Sequence, residues 1–365
     1  MDFTFTEDQR SLQALAAQVF GGHASIERVR AVEAGEERVD RELWAQLAAT
    51  GLLGVAVPEA SGGAGFGLVE ACLVLEQQGA HVAPVPLWQT VTAALAIAEL
   101  GTGAQQGAVL PQVADGSLML TVALEEFGAG ALTTPATRAI RNADGHWRLT
   151  GAKAAVPAAH VSGRVLVSAC LPDGEPAVFL ADLDAAGICG EPADTTAHEL
   201  AAHLSFADAP AELLGGAGAL DRLLDLAQVA IAAVQLGVAD SAMRQGAKYV
   251  SEREQFGRPI GTFQAVQHQL ADCYLDVEAM RVTLWQAAWL CAAAGAEVGT
   301  SVGVASWWAA DGGARVVHRV QHLHGGIGVD VDYPIHRYLL WGKQLAGLLG
   351  GQAARLERLG ERIAS

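Results

Sequence analysis

The sequence is poor in charged residues, particularly basic ones. Of its 365 residues only 17% are charged and 51% are hydrophobic, which excludes a disordered or fibrous chain and leaves enough apolar side chains for a large core. Lysine and arginine total 23 against 40 acidic residues, a formal net charge of −17. Nucleic acids and anionic membrane surfaces are bound by basic faces, so we expect neither as a partner.

Long apolar runs and targeting signals are also missing. The most apolar stretches, 226–239 and 283–296, are shorter than the ~20 residues that a membrane span requires. The first residues are acidic and lack the basic segment of a secretory signal. The cysteines are few and show no CxxC spacing, which is typical of reduced core thiols, so we expect a cytoplasmic protein without disulfides. They are Cys72, Cys170, Cys189, Cys273 and Cys291.

The spacing of apolar residues predicts three regions. Residues 1–116 have helical periodicity, beginning at the capping-box pattern Thr6–Gln9. Residues 117–213 contain short β-type segments separated by hairpin-type turns at 142–145 and 172–174. Helical periodicity returns over 214–365. We therefore expect an α+β protein, mainly α, with an N-terminal helical domain, a middle β domain and a C-terminal helical bundle. The predicted strands are 118–124, 147–154, 164–169, 177–182 and 203–206.

Two segments at predicted helix ends are candidates for ligand binding. Residues 253–257 (Arg-Glu-Gln-Phe-Gly) lie between two long helices, where an arginine and an aromatic ring can bind a phosphate and stack on a planar group. Residues 324–328 (His-Gly-Gly-Ile-Gly) end another helix, where glycines let the backbone approach an anion. A capped interhelical turn and a plain glycine C-cap explain the same residues without a ligand, so both alternatives stay open here.

Metal and Rossmann dinucleotide signatures are absent. His318 and His322 have the i, i+4 spacing of a metal-binding pair, but the glutamate of HExxH is missing, and we predict no metal site. Residues 125–131 follow a predicted strand but lack GxGxxG. Glu125 and Glu126 could act as acid–base groups or be solvated at a strand end. The C-terminal tryptophans are expected in the core or a subunit interface.

In their order along the chain, these motifs resemble the acyl-CoA dehydrogenase family. The resemblance rests on the helical–β–helical order, on residues 51–59 (Gly-Leu-Leu-Gly-Val-Ala-Val-Pro-Glu), and on the segments 253–257 and 324–328; it covers essentially the whole chain. It implies an acyl-CoA dehydrogenase-like fold with a C-terminal four-helix bundle. The implied reaction is the FAD-dependent α,β-dehydrogenation of an acyl-CoA thioester, in which a glutamate removes the α-proton. Residues 332–343 are similar to an actinobacterial subgroup that acts on steroid side-chain CoA thioesters and assembles from two different subunits.

The resemblance also implies a cofactor shared across a subunit interface. In the family one chain covers the flavin ring, and its neighbour binds the pyrophosphate and adenosine of the same FAD. The residues implied for the second role are Arg253, Gln255, Phe256, Gly257, His322, Gly325, Gly326 and Gly328. His322 stands where the family usually has glutamine, although Gln321 is adjacent.

The segments that correspond to the flavin-covering half depart from the family. Residues 125–127 replace Thr-Glu-Pro, residues 130–132 replace Gly-Ser-Asp, and residues 156–159 replace a Trp-Ile-Thr region. A carboxylate at Glu125 close to a reduced flavin should disfavour binding. We therefore expect this half of the site to be degraded.

The family's two positions for the catalytic glutamate are occupied here by Ala227 and Leu349, neither of which can accept a proton. The nearest acid, Asp225, lies ~200° around the helix from Ala227. The resemblance therefore predicts an α2β2 enzyme in which a second acyl-CoA dehydrogenase chain supplies the glutamate. Two alternatives stay open: a self-sufficient homo-oligomer that uses Asp225 or Glu125 as its base, and a flavin-free scaffold or acyl-CoA-binding protein.

Overall fold

The N-terminal region is helical, as the apolar periodicity predicts. The computed structural model describes residues 4–128, 130–293 and 297–364; residues 294–296 of the second apolar stretch lie outside the described residues. The predicted capping box is confirmed, since Gln9 N donates to Thr6 Oγ1 at 3.2 Å and Thr6 N donates to Gln9 Oε1 at 2.9 Å. The helices are α1 (Glu7–His23), α2 (Ile26–Glu33), α3 (Arg41–Ala49), α4 (Leu68–Ala80), α5 (Leu87–Leu100) and α6 (Gly103–Ala114).

The middle region forms a sheet that closes on itself. Strand β4 pairs with β5, β5 with β7, β7 with β3, β3 with β2, and β2 with β4, while β1 and β6 add to β4 and β7. The strands are β1 (Leu120–Ala123), β2 (Arg138–Arg141), β3 (Trp147–Pro157), β4 (Arg164–Cys170), β5 (Pro176–Asp182), β6 (Ile188–Asp194) and β7 (Leu200–Gly215). Both hairpin turns are confirmed, because 142–145 joins β2 to β3 and 172–174 joins β4 to β5 in antiparallel pairs.

Two strands escape the sequence pattern. β2 has four residues, of which only Ala139 is buried, and β6 has no fully buried residue and contains Gly190 and Pro192. Short, exposed segments with few β-branched residues carry little alternation, so they become strands through pairing with β3 and β7. β7 also runs well beyond its predicted span, because its sixteen residues pair with three different strands.

The C-terminal region has three long helices followed by two shorter ones. They are α7 (Ala219–Glu252), α8 (Gln264–Ala293), α9 (Val298–His324), α10 (Ile335–Gly347) and α11 (Gly351–Ala364). Among the described residues one helix, α7, is long and apolar enough to cross a membrane, and 94% of its most apolar window is buried inside the protein. Core helices of folded proteins meet the same criteria, so α7 is weak support for a membrane span.

The chain divides into two compact units. One comprises Met1–Val29, Cys72–Ala83 and Ile231–Ser365, and the other comprises Arg30–Ala71 and Pro84–Ala230. These units interleave along the sequence, whereas the predicted regions 1–116, 117–213 and 214–365 are consecutive; the three-domain boundaries stay a prediction. Within the first unit, α4 and α7 cross so closely that a Cβ at Gly79 or Gly237 would overlap backbone of the other helix.

The five cysteines are not joined in disulfide bonds, and three of them lie in the core. Cys72, Cys273 and Cys291 are buried and Cys170 is half-buried. Cys189 departs from the expectation of a core thiol, because it is exposed on β6, where only one neighbouring strand pairs and little covers the side chain.

Candidate functional site

The first candidate segment is a two-residue hairpin at the end of α7. Strands β8 (Glu254–Gln255) and β9 (Arg258–Pro259) pair, and Phe256 and Gly257 form the turn with φ of +55° and +77°. Positive φ at both turn residues is the geometry of tight hairpins that normally carry asparagine and glycine. An aromatic residue is strained in this conformation, and its side chain is 90% exposed. The hairpin therefore presents Phe256 to the outside at the expense of backbone strain.

Neighbouring contacts hold the hairpin in place. Arg253 N donates to Tyr249 O at 2.8 Å, so that Arg253 continues from the last turn of α7, and Ile260 N donates to Arg253 O at 2.8 Å. The Phe263 ring meets the Phe256 ring edge-on at 6.0 Å, and the Arg258 guanidinium lies 4.3 Å from the centroid of the same Phe263 ring. Arg253 itself is exposed.

The second candidate segment is the glycine turn that follows α9. Gly325 has φ of +58°, and a Cβ at Gly325 or Gly326 would meet nothing within 4 Å. Gly328 is different, because a Cβ there would lie 2.9 Å from Gln321 Nε2, which donates to the Gly328 carbonyl at 2.6 Å. Gln321 therefore closes its own turn, and His322 is the exposed side chain at this place. Glycine at 325 and 326 leaves the backbone open to a ligand, and glycine at 328 permits the close packing of Gln321.

We call residues 253–257 and 325–328 together the arm. Of the eight residues proposed to bind a cofactor, all but Gly328 are exposed. An exposed guanidinium, an exposed aromatic ring and an open glycine backbone are the groups that bind a phosphate and a planar base. The arm therefore fits the pyrophosphate and adenosine part of a dinucleotide such as FAD.

The segments expected to cover a flavin ring lie in the second compact unit. Unlike the exposed groups of the arm, a carboxylate in these segments is bound by the protein itself. Glu126 faces inward: its carboxylate accepts hydrogen bonds from Thr137 Oγ1 at 2.6 Å, Ala136 N at 2.6 Å and Lys153 Nζ at 2.7 Å. Lys153 is fully buried and also donates to Ser168 Oγ at 2.8 Å. This carboxylate is a structural anchor for its loop and is not available to a ligand.

The pKa values of this pair follow from their surroundings. Burial alone would raise the pKa of Glu126, but the hydrogen bonds from Lys153, Thr137 and Ala136 outweigh it and lower that pKa to about 2. Burial lowers the pKa of Lys153, and the Glu126 carboxylate opposes this change. At neutral pH the buried Lys153 and the half-buried Glu126 form a hydrogen-bonded ion pair.

Three other described residues of this half are apolar. Val156 and Ala159, at the place of the family's Trp-Ile-Thr region, are buried in the hydrophobic core of the sheet. Phe127, at the place of the proline, is exposed and contacts the His203 ring at 5.0 Å. The residues of this half do not fit a flavin ring, and the residues of the arm fit its dinucleotide tail.

Neither position of the family's glutamate carries an acid. Ala227 is 0% exposed and Leu349 is 4% exposed, so both side chains are buried. Leu349 has φ of +54°, and it precedes two glycines that also have positive φ. Asp225 is buried, because α7 is buried on all sides over residues 223–239. Asp225 and Glu125 both have interaction partners, so neither is a free carboxylate poised to act as a base.

The structure assigns no metal ligands among the residues that it describes. No group of three or more His, Cys, Asp or Glu side chains gathers there in a way that would hold an ion. His318 and His322, the pair at helical spacing, are exposed on α9.

The sequence analysis did not identify Lys153 as the residue that anchors the loop after β1. The signal was present, since Lys153 has the same parity as Leu149 on β3, and Leu149 is buried. In a strand that alternates between core and solvent, a lysine at a core-facing position must find an acid.

The helical region, the sheet and the helical bundle follow one another in the order of a known family of enzymes. Residues 6–117 match the acyl-CoA dehydrogenase N-terminal domain, and residues 205–364 match the acyl-CoA dehydrogenase C-terminal domain. The chain belongs to the acyl-CoA dehydrogenase family, whose members are oxidoreductases acting on CH–CH bonds.

Among the most similar relatives are one mycobacterial protein and chains of two solved complexes. Acyl-CoA dehydrogenase FadE27 of Mycobacterium tuberculosis is 38% identical, over 100% of this chain and 99% of the relative. A chain from a solved variant of the Tcur3481-Tcur3483 steroid ACAD is 58% identical, with a TM-score of 0.95 over 98% of both chains. A chain of the ChsE4-ChsE5 complex from Mycobacterium tuberculosis is 38% identical, with a TM-score of 0.94 over 100% of this chain and 99% of the other.

Proposed function

We propose that this chain is the base-lacking subunit of a heteromeric acyl-CoA dehydrogenase of α2β2 composition. A second acyl-CoA dehydrogenase chain holds most of the FAD and supplies the glutamate that removes the α-proton. The observation that carries the proposal is a contrast within one chain: the arm is exposed and chemically suited to a dinucleotide, whereas both base positions are buried alanine or leucine. Two similar solved structures have names that pair two proteins, which supports a partner chain.

The substrate that we propose is an acyl-CoA thioester with a steroid side chain as its acyl group. The support is the word steroid in the name of the 58% identical structure and the similarity of residues 332–343 to the steroid subgroup. We also propose that the assembly works in the cytoplasm, in keeping with cysteines that are not joined in disulfides and with an acidic composition.

Within the assembly each arm residue has a defined task. The Arg253 guanidinium neutralises a phosphate, the Phe256 ring stacks on a planar part of the cofactor, and the Gly325–Gly326 backbone lies against the dinucleotide. FAD, when bound, supplies the hydride acceptor of the reaction. The residues of this chain act by binding and orienting it, and proton removal belongs to the partner.

The test of subunit composition is flavin retention. The chain is purified alone and after co-expression with a second acyl-CoA dehydrogenase chain, and bound flavin is measured by its absorbance. We expect a colourless preparation alone and a yellow complex after co-expression. A yellow lone chain that is bleached by an acyl-CoA would establish the self-sufficient alternative, and a colourless complex would establish the flavin-free alternative.

The test of the arm is Arg253→Ala in the co-expressed complex. Hydrogen bonds to charged groups are worth ~1.5–3 kcal/mol, so we expect FAD to bind at least about tenfold more weakly. Arg244→Ala is the matched control, because Arg244 is an exposed arginine on the same helix whose guanidinium pairs with Asp240 at 2.7 Å. The proposal predicts unchanged FAD affinity for this control; unchanged affinity in Arg253→Ala would refute the arm's role.

A further inference from the structure

Three aromatic rings from three separate segments pack together next to the arm. Tyr249 lies on α7 one turn before Arg253, His324 is the last residue of α9, and Tyr333 lies between α9 and α10. The Tyr249 and His324 rings are stacked, with centroids 4.3 Å apart and an interplanar angle of 21°. Tyr333 closes the triangle, with its centroid 5.5 Å from the His324 ring and 6.3 Å from the Tyr249 ring. We call these residues the ring cluster.

The ring cluster joins the two segments of the arm. Tyr249 is bound to the hairpin through its carbonyl, which accepts from Arg253 N at 2.8 Å. His324 is directly followed by Gly325, and its carbonyl accepts from Tyr249 Oη at 3.4 Å. A shift of one segment relative to the other would therefore separate the stacked rings and break this hydrogen bond.

The protonation state of His324 suits this packing. Nδ1 lies 2.8 Å from the Val320 carbonyl, so the proton is on Nδ1 and Nε2 is an acceptor. Nε2 is buried and has no hydrogen-bond partner among the described residues. Burial lowers the pKa of His324, which keeps the ring neutral near physiological pH. A neutral ring packs against tyrosine without requiring a counter-ion.

We propose that the ring cluster is a positioning device for the arm: Tyr249 and His324 hold the hairpin and the glycine turn at the separation that FAD requires, without touching FAD. This inference rests on the proposed function of the arm. It assigns part of the cofactor affinity to residues that are buried or half-buried beside the arm and that carry no charge. Stacked and edge-on ring pairs are worth ~0.5–1.5 kcal/mol each beyond their burial, which is enough to change binding when a pair is lost.

The chain offers a matched control for His324. His81 has the same local design, because its Nδ1 lies 3.0 Å from the carbonyl of Gln77, four residues earlier, and its ring stacks on Phe20 at 6.1 Å and 21°. His81 directly follows α4 and is not adjacent in sequence to either arm segment. Removing the two histidine rings therefore separates a general effect on packing from an effect on the arm.

The experiment is a titration of the apo complex of both subunits with FAD, followed by the change in flavin fluorescence. We expect His324→Ala to raise the dissociation constant for FAD by about tenfold, and His324→Phe, which keeps a ring in place, to remain within about threefold of wild type. His81→Ala should bind FAD as wild type does. At saturating FAD the turnover number of His324→Ala should be unchanged, because the ring does not touch the reacting atoms.

Several outcomes would overturn the positioning role. An unchanged dissociation constant in His324→Ala would do so, and if Arg253→Ala still binds weakly, the proposed function of the arm survives. Equal weakening in His324→Phe and His324→Ala would show that the imidazole nitrogen matters and not ring packing. Equal weakening in His81→Ala would show a general packing effect. If His324→Ala does not assemble, Tyr333→Leu removes the third ring and is expected to weaken FAD binding about threefold or more; unchanged affinity there also overturns the role.

Discussion

At the scale of single residues, the chain contains an ion pair between a fully buried lysine and a half-buried glutamate, Lys153 and Glu126. Lys153 is 0% exposed, and its ammonium group lies between the Glu126 carboxylate and the Ser168 hydroxyl. Buried pairs of this kind add little net stability compared with apolar residues, but removal of one partner leaves an uncompensated charge. The pair therefore specifies where the loop after β1 attaches to the sheet.

Replacement of Glu126 tests this attachment. We expect Glu126→Gln to destabilise the protein by ~3–5 kcal/mol at pH 7, because Lys153 would stay buried without its counter-charge. The measurement is the melting temperature by calorimetry. Glu37→Gln is the control, since Glu37 pairs with Arg41 on a largely exposed helix end and should cost less than ~1 kcal/mol. Equal losses in the two variants would contradict the structural role of the buried pair.

The same pair gives a pH dependence with a defined sign. The pKa of Glu126 falls from 4.5 to about 2 on folding, so its stabilising effect is fully present above pH 4.5 and is lost as the pH falls toward about 2. We expect the difference in melting temperature between wild type and Glu126→Gln to narrow over this range. A difference that stays constant from above pH 4.5 down to about 2 would show that Glu126 is not charged in the folded protein.

Replacement of Phe256 by glycine is expected to weaken cofactor binding without lowering the stability of the protein. Its backbone is strained at positive φ and its side chain is 90% exposed, so Phe256→Gly removes strain and loses little burial. We expect an unchanged or slightly raised melting temperature together with weaker FAD binding in the co-expressed complex. Retention of full FAD affinity by this variant would mean that the ring has no part in the arm.

At the scale of elements, a close helix crossing in the first compact unit depends on glycine. Gly79 on α4 lies against the Val234 backbone, and Gly237 on α7 lies against the Glu76 carbonyl. Arg281 of α8 then binds Glu76 at 3.0 Å and Asp240 at 3.1 Å, which ties α8 to both helices. Glycine lowers helix propensity, but here it permits a backbone approach that no side chain allows.

A methyl group at this crossing tests the packing. We expect Gly237→Ala to lower the melting temperature, because overpacking of a rigid contact costs ~1–3 kcal/mol. Gly360→Ala is the matched control: Gly360 is an exposed residue of α11 whose Cβ would meet nothing within 4 Å, so alanine there should be neutral or stabilise by up to ~1 kcal/mol. A neutral Gly237→Ala would show that the helices can separate freely.

At the scale of the whole molecule, the proposed assembly has unequal half-sites. This chain contributes a complete arm, but its own flavin-covering half has Val156 and Ala159 in the core and Glu126 engaged with Lys153. Under the proposed function, we expect a partner's arm that reaches over this half to find a poor flavin site. We therefore expect the two kinds of chain to bind FAD unequally.

Flavin stoichiometry tests this asymmetry. We expect one FAD for each pair of unlike chains, hence two in an α2β2 complex. The measurement combines the mass of the intact complex with the flavin absorbance of the same sample. One FAD for every chain would show that the segments around Val156 and Glu126 do hold a flavin, and the proposed division of labour would be wrong.

Local pattern alone predicted much of this protein. The helical regions, the capping box at Thr6, both hairpin turns and the position of 253–257 between two long helices are confirmed, because they depend on the period of apolar residues and on turn residues adjacent in sequence. The family resemblance is confirmed for the same reason: its motifs are contiguous segments. The strands β2 and β6 were missed because they are short and largely exposed, so their residues show little of the alternation that marks a strand.

The sequence by itself determined which residues are missing from the two base positions and which residues of the arm are present. Only the tertiary structure decided how those residues are used. It placed Lys153 beside Glu126 and Val156 in the core of the sheet. It also brought together the rings of Tyr249, His324 and Tyr333. Each of these contacts joins residues from different segments of the chain. Their formation depends on how those segments pack, which local periodicity does not encode.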